Sequence, residues 1–145
     1  MPGITVGIDG SDGAHLALEW AMKEAAARHA LLTVVTVHEV AASYWTRDPI
    51  ILPPDELAVE KARQAAEELV AKAAAQLGES QPASVTVRVV NGFPVQELIE
   101  ASRDADLVVV GARGGGGFAR LLLGSVSDQV IRHAYCPVVV VPAQR

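Results

Sequence analysis

The sequence predicts an α/β fold: an open five-stranded parallel sheet with helices on both faces. Three observations lead there. Short apolar runs of strand length alternate with stretches of helical period along the whole chain. That alternation implies parallel strands joined by right-handed helical crossovers. Among 145 residues there are 24 Ala and 21 Val but only six aromatics, a mix that suits Ala-rich helices packed on Val-rich strands. Two segments leaving strands are rich in glycine and turn residues, Gly7 to Ser11 and Gly111 to Gly117. The length corresponds to one domain, residues 1–145, at roughly 100–200 residues per domain.

Each element follows from its pattern. Ile4 to Ile8 is an apolar run stopped by Asp9-Gly10, hence strand one, after which Ser11 or Asp12 can cap a helix. Leu18, Ala21, Met22 and Ala25 fall on one helical face. Leu31 to Val40 is Val- and Thr-rich and reads as strand two. Ala41 to Pro54, with three prolines and no period, reads as a long loop. A second helix runs from Asp55, with Ala58, Ala62, Ala65, Leu69, Ala73 and Leu77 as its inward stripe and Gly78 as its stop. In Ser84 to Val90, strand three, valines alternate with polar residues, as at a sheet edge. Asn91-Gly92 then reads as a turn, and Pro94 opens a short helix carrying Val95, Leu98 and Ile99. Leu107 to Val110 is wholly apolar, hence a central strand four. A fourth helix spans about Ser125 to His133 with Val126 and Val130 inward, and Pro137 to Val141 is strand five.

Composition and charge exclude several classes. A net charge of −5 without a basic face argues against nucleic-acid and anionic-membrane binding. No apolar run approaches the roughly 20 residues of a membrane helix. Met1-Pro2-Gly3-Ile4 has neither part of a signal peptide, so a cytoplasmic domain is expected. The single cysteine, Cys136, can form no internal disulfide and reads as an inert thiol.

Ligands of such sheets bind beyond the carboxyl ends of the strands, where strand order reverses. If strands one and four are neighbours, the two glycine-containing segments face each other there. Five of the seven residues from Gly111 to Gly117 are glycine, which lets backbone N–H groups approach an anion without a Cβ in the way. The next helix begins at Gly124-Ser125-Val126-Ser127, offering free N–H groups, a favourable dipole and two hydroxyls. Arg113 and Arg120 add positive charge. Composition alone leaves two readings open, a phosphate cradle or a plain glycine-rich surface loop with capping serines. The lysine of a P-loop is absent, and the imitation of a dinucleotide fingerprint follows the wrong strand. The acidic and lysine positions of a response regulator are missing as well.

Gly111-x-x-Gly114, nine residues, then Gly124-Ser125 matches the G-2x-G-9x-G-[ST] pattern of the ATP-binding universal stress proteins. Gly7-Ile8-Asp9-Gly10-Ser11 resembles the first strand of that family and its aspartate, and Cys136-Pro137 followed by four valines resembles its last strand. The resemblance covers essentially the whole chain, as a single-domain form. It implies a five-stranded parallel sheet in order 3-2-1-4-5, with ATP in the crevice between strands one and four. Asp9 would contact the ribose or a magnesium-linked phosphate, Gly7 and Ile8 would line base and ribose, and Val37 would meet the adenine edge through its backbone. Gly111, Arg113, Gly114, Gly124, Ser125, Val126 and Ser127 would wrap the phosphates.

No catalytic constellation stands out. A nucleophile elbow would need a second glycine after Ser125, and no base is evident for phosphoryl transfer. His15 and His29 read as surface histidines, His38 as structural or ligand-facing, and Tyr44 and Trp45 as lid or packing residues. The expected function is a nucleotide-dependent regulatory module of the stress response, with at most slow hydrolysis. The alternatives are a magnesium-dependent ATPase or phosphotransfer enzyme using Asp9, and a dimeric interaction module without nucleotide. The phosphate loop does not distinguish ATP from ADP, AMP or cyclic AMP. Val138 to Val141 forms an apolar edge strand that no later element covers, so a homodimer joined there is expected, as the family resemblance also implies.

Overall fold

A computed structural model of the chain describes residues 3–8, 14–39, 42–43, 50–51, 56–112 and 125–142. Five valine-rich runs pair into one parallel sheet: β1 (Ile4–Ile8), β2 (Leu32–Glu39), β3 (Val85–Gly92), β4 (Leu107–Gly111) and β5 (Val138–Val141). Their order across the sheet is β3-β2-β1-β4-β5, the predicted 3-2-1-4-5. Four helices connect them: α1 (Ala14–Arg28), α2 (Glu56–Leu77), α3 (Pro94–Ser102) and α4 (Ser125–His133).

The pleat sorts side chains into two cores. Ile4, Val6 and Ile8 of β1, with Leu32, Val34, Leu107 and Val109, pack beneath α1 and α2. Val35, Val108 and Val110 pack on the opposite face with Leu98 of α3 and Val130 of α4. Alternate residues of one strand point to opposite faces, so burial of both sets marks a sheet covered on both sides. All four predicted positions of strand four, Leu107 to Val110, are buried, as a central strand requires.

Two helix ends use left-handed backbone. Gly78 follows α2 at φ 56°, with nothing within 4 Å of where a Cβ would stand. His29 follows α1 at φ 55°, a region the imidazole enters at a steric cost that glycine does not incur. Ala30 then closes the end, its N–H donating to the Ala25 carbonyl at 2.9 Å.

The structure departs from the sequence reading at three points. The buried seam of α2 passes through Ala66 and Ala73, while Ala65 is exposed. Neighbouring alanines give a hydrophobic stripe no way to choose between adjacent positions. Asn91 and Gly92 do not turn; they extend β3, paired with His38 and Glu39 of β2. The turn is made one residue later, where Phe93 holds the N-cap position of α3 without a side-chain hydrogen bond and Pro94 sits in its first turn. Within the expected loop 41–54, Ala42–Ser43 pairs antiparallel with Ile50–Ile51. The β-branched pair supports a strand, but the nearby prolines obscured it.

Candidate functional site

The strand ladders end unevenly. β1 pairs with β2 through Ile8 and Thr36, and β4 pairs with β5 through Gly111 and Val141. Between β1 and β4 the register stops at Val6 and Val109. Gly7 and Ile8 therefore leave β4 while still held by β2, and Val110 and Gly111 leave β1 while held by β5. The sheet splits at the carboxyl ends, where its strand order reverses and where ligands of doubly wound sheets bind.

Beside the split, β2 outruns β1. Its pairing with β3 continues to Glu39 and Gly92, so Val37 lies one residue past Thr36, the partner of Ile8. The side chains here are committed to the cores. Ile8 is buried in the first core, and Val37 and Val126 pack against the second. Ile8 is buried, whereas Val37 and Val126 are half-buried. Gly7 has a further duty, because the space its missing Cβ leaves is taken by Leu98.

α4 starts at Ser125, and the segment that follows β4 leads into that N-terminus. Ser127, in its first turn, is 2% exposed. Asp128, a carboxylate in the first turn, is paired along the helix with Arg132 at 3.2 Å. Its charge is thus partly balanced, and the helix end keeps its preference for an anion. Arg132 occupies the last turn, where its positive charge favours the dipole.

Of the predicted site residues, Gly7, Ile8, Val37, Gly111, Val126 and Ser127 are thus placed in β1, β2, β4 and α4, around the carboxyl-end split. Ser125 begins α4. Asp9, Arg113, Gly114 and Gly124 lie outside the described residues, as do Tyr44 and Trp45. His38 pairs in register with Asn91 and, by alternation with Val37, belongs to the α1–α2 face of β2. Among the described residues no group of three or more His, Cys, Asp or Glu could hold a metal ion, and no buried side-chain polar atom lacks a partner. Cys136 is half-buried, and its Sγ–H donates to the Pro137 carbonyl at 3.4 Å. Burial raises its pKa, a hydrogen bond with the Val108 backbone opposes this, and the Asp106 carboxylate adds to the rise. That is the setting of an unreactive thiol.

One relationship escaped the sequence reading. Ser102, at the end of α3, accepts a hydrogen bond from the Tyr135 N–H at 2.9 Å across 33 residues. No local pattern signals a contact of that separation.

Comparison with known proteins fits this geometry. The chain matches the Universal stress protein family over residues 2–142. It is 37% identical over 139 residues to a universal stress protein of Mycolicibacterium smegmatis, covering 96% of this chain and 47% of that protein. The chain thus spans about half the length of the curated relatives it matches. Among solved structures, a universal stress protein in complex with cAMP superposes at a TM-score of 0.67 and 27% identity, over 99% of this chain and 98% of that one. A universal stress protein from Archaeoglobus fulgidus in complex with dAMP gives a TM-score of 0.63 at 25% identity, over 97% of both chains. No helix among the described residues is long and apolar enough to cross a membrane. The parallel order, the split between β1 and β4, the glycine-spaced segment running into α4 and the family match along nearly the whole chain agree: the chain belongs to the universal stress protein family.

Proposed function

We propose that this chain binds an adenine nucleotide, ATP in particular, in the split between β1 and β4, and serves as a nucleotide-dependent regulatory module of the stress response. The observation that carries the reading is the early end of the β1–β4 ladder beside the start of α4. Backbone released from one partner strand can contact base and ribose, while helix N–H groups favour phosphate. The spacing Gly111, Gly114, Gly124, Ser125 supplies the phosphate segment, with Arg113 as its cation. The cAMP and dAMP held by two solved relatives support the adenine class. Magnesium would arrive with the phosphates, and Asp9 is the carboxylate that the sequence places next to the split.

Calorimetric titration with ATP, ADP, AMP and cyclic AMP, with and without magnesium, tests the reading. Saturable binding of ATP well below about 1 mM is expected, and no saturable binding by any of the four overturns it. Steady-state turnover above about 1 s⁻¹ would instead assign an enzyme. We further propose that two copies pair antiparallel through β5. That strand forms one edge of the sheet, and each of its four valines is half-buried.

A further inference from the structure

α3 reaches from the split to the opposite end of the sheet. At its middle, Leu98 is 4% exposed and fills the space that a Gly7 side chain would need. One turn later, Ser102 is 1% exposed. Its hydroxyl donates to the Ile99 carbonyl and accepts the Tyr135 N–H at 2.9 Å. Residues four apart share a helix face, so Leu98 and Ser102 lie about 6 Å apart along one side of α3.

Tyr135 sits in the turn between α4 and β5, at the end of β5 remote from the split. It is braced from the same helix terminus. The Arg103 guanidinium lies 4.0 Å from the Tyr135 ring centroid, and Arg103 Nη2 donates to the Tyr135 hydroxyl at 2.8 Å. Glu100 in turn holds Arg103 at 3.2 Å.

We infer that α3 transmits nucleotide occupancy of the β1–β4 split to the remote end of β5, with Leu98 as the sensor and Ser102 as the joint; this rests on the nucleotide reading above. A ligand against the Gly7 and Ile8 backbone bears on the seat of Leu98. Close-packed interiors shift as units rather than deform smoothly, so α3 carries that constraint along its length. The Ser102 hydroxyl, itself buried, passes it to the amide of Tyr135, a residue 59% exposed. Two other routes leave the split, the β4–β5 ladder and α4, which starts at Ser125 and ends at His133, two residues before Tyr135. Variants in α3 separate its contribution from theirs.

Hydrogen exchange of the full chain, resolved at Tyr135 and measured with and without saturating ATP, tests this alongside an independent titration of ATP affinity. In the wild type, ATP is expected to slow Tyr135 exchange several-fold. In Ser102→Ala the ATP affinity stays close to wild type while the ratio of exchange rates falls to one, and in Leu98→Ala, which keeps the Ser102 acceptor of the Tyr135 amide, the ratio falls as well. Ser102→Cys, near-isosteric with a weak acceptor, serves where the alanine variant does not fold. An unchanged Tyr135 rate in ATP-bound wild type overturns the inference, as does an undiminished ratio in the folded Ser102 variant. Failure of the titration itself removes the nucleotide reading, and this inference with it, and is seen separately.

Discussion

Gly7 and Leu98 occupy one another's space: a Cβ on Gly7 would stand 2.8 Å from Leu98 Cδ2 and 3.0 Å from Cδ1. The glycine is therefore as much a packing residue for α3 as a backbone approach for a ligand. Gly7→Ala should force Leu98 or its helix outward and destabilise the fold by about 1–3 kcal/mol, the range for overpacked cores. Leu98→Ala should cost about 2–5 kcal/mol as a cavity. The double variant should lose less than the sum of the two, by about 0.5 kcal/mol or more, because the truncated Leu98 makes room for the new methyl. Urea unfolding of the three variants measures this, and strict additivity would refute the contact.

The phosphate segment makes a separate prediction. Gly114→Val should weaken ATP binding on the order of 10- to 100-fold, the equivalent of one lost charge-assisted hydrogen bond at about 1.5–3 kcal/mol. Asp9→Ala should lower affinity and remove any magnesium dependence while leaving the melting temperature in place. A melting temperature that falls with affinity intact would make Asp9 a helix cap instead. Titration and thermal melting on the same samples separate the outcomes.

For the β5 edge, a proline in the middle of the strand is the informative change. Val140→Pro removes a backbone N–H and should leave a monomer or insoluble protein where the wild type sediments as a dimer. A stable wild-type monomer at micromolar concentration would defeat the pairing through Val138 to Val141.

His29 and Gly78 form a matched pair of opposite sign. Both hold φ near 55°, His29 at 55° and Gly78 at 56°. His29→Gly should relieve a left-handed penalty of about 1 kcal/mol, and Gly78→Ala should introduce one of similar size. For a chain of this length that is about 2–4 °C in Tm, upward for the first and downward for the second. Gly78 has open space where the methyl would go, so its change reports on backbone conformation alone.

Much of this fold was legible because its signals are local. Ile4–Ile8, Leu107 to Val110 and the four valines of β5 are short apolar runs between turns, and helix-period stretches separate them. Alternation of strand and helix then restricts the topology. The losses occurred where neighbouring residues are chemically alike or where a contact is distant. Ala65 and Ala66 are indistinguishable in a stripe, yet only Ala66 is buried. Asn91-Gly92 carries a strong turn signal, but pairing with His38 and Glu39 overrides it. The glycine spacing from Gly111 to Gly124 pointed to a phosphate without showing its walls. The roles of Leu98 and Ser102 depend on partners in other parts of the chain, and no periodicity encodes them.

The uneven ladders give the sheet the form of a fork. At the root, Val85, Leu32, Ile4 and Leu107 align across four strands, and Val138 joins through Val108. Beyond Val6 and Val109 there are two tines, one of three strands and one of two. The side chains where the tines part, Ile4, Thr5 and Val6, are all buried. A change of bulk at those buried positions would alter the width of the mouth without touching anything placed in it.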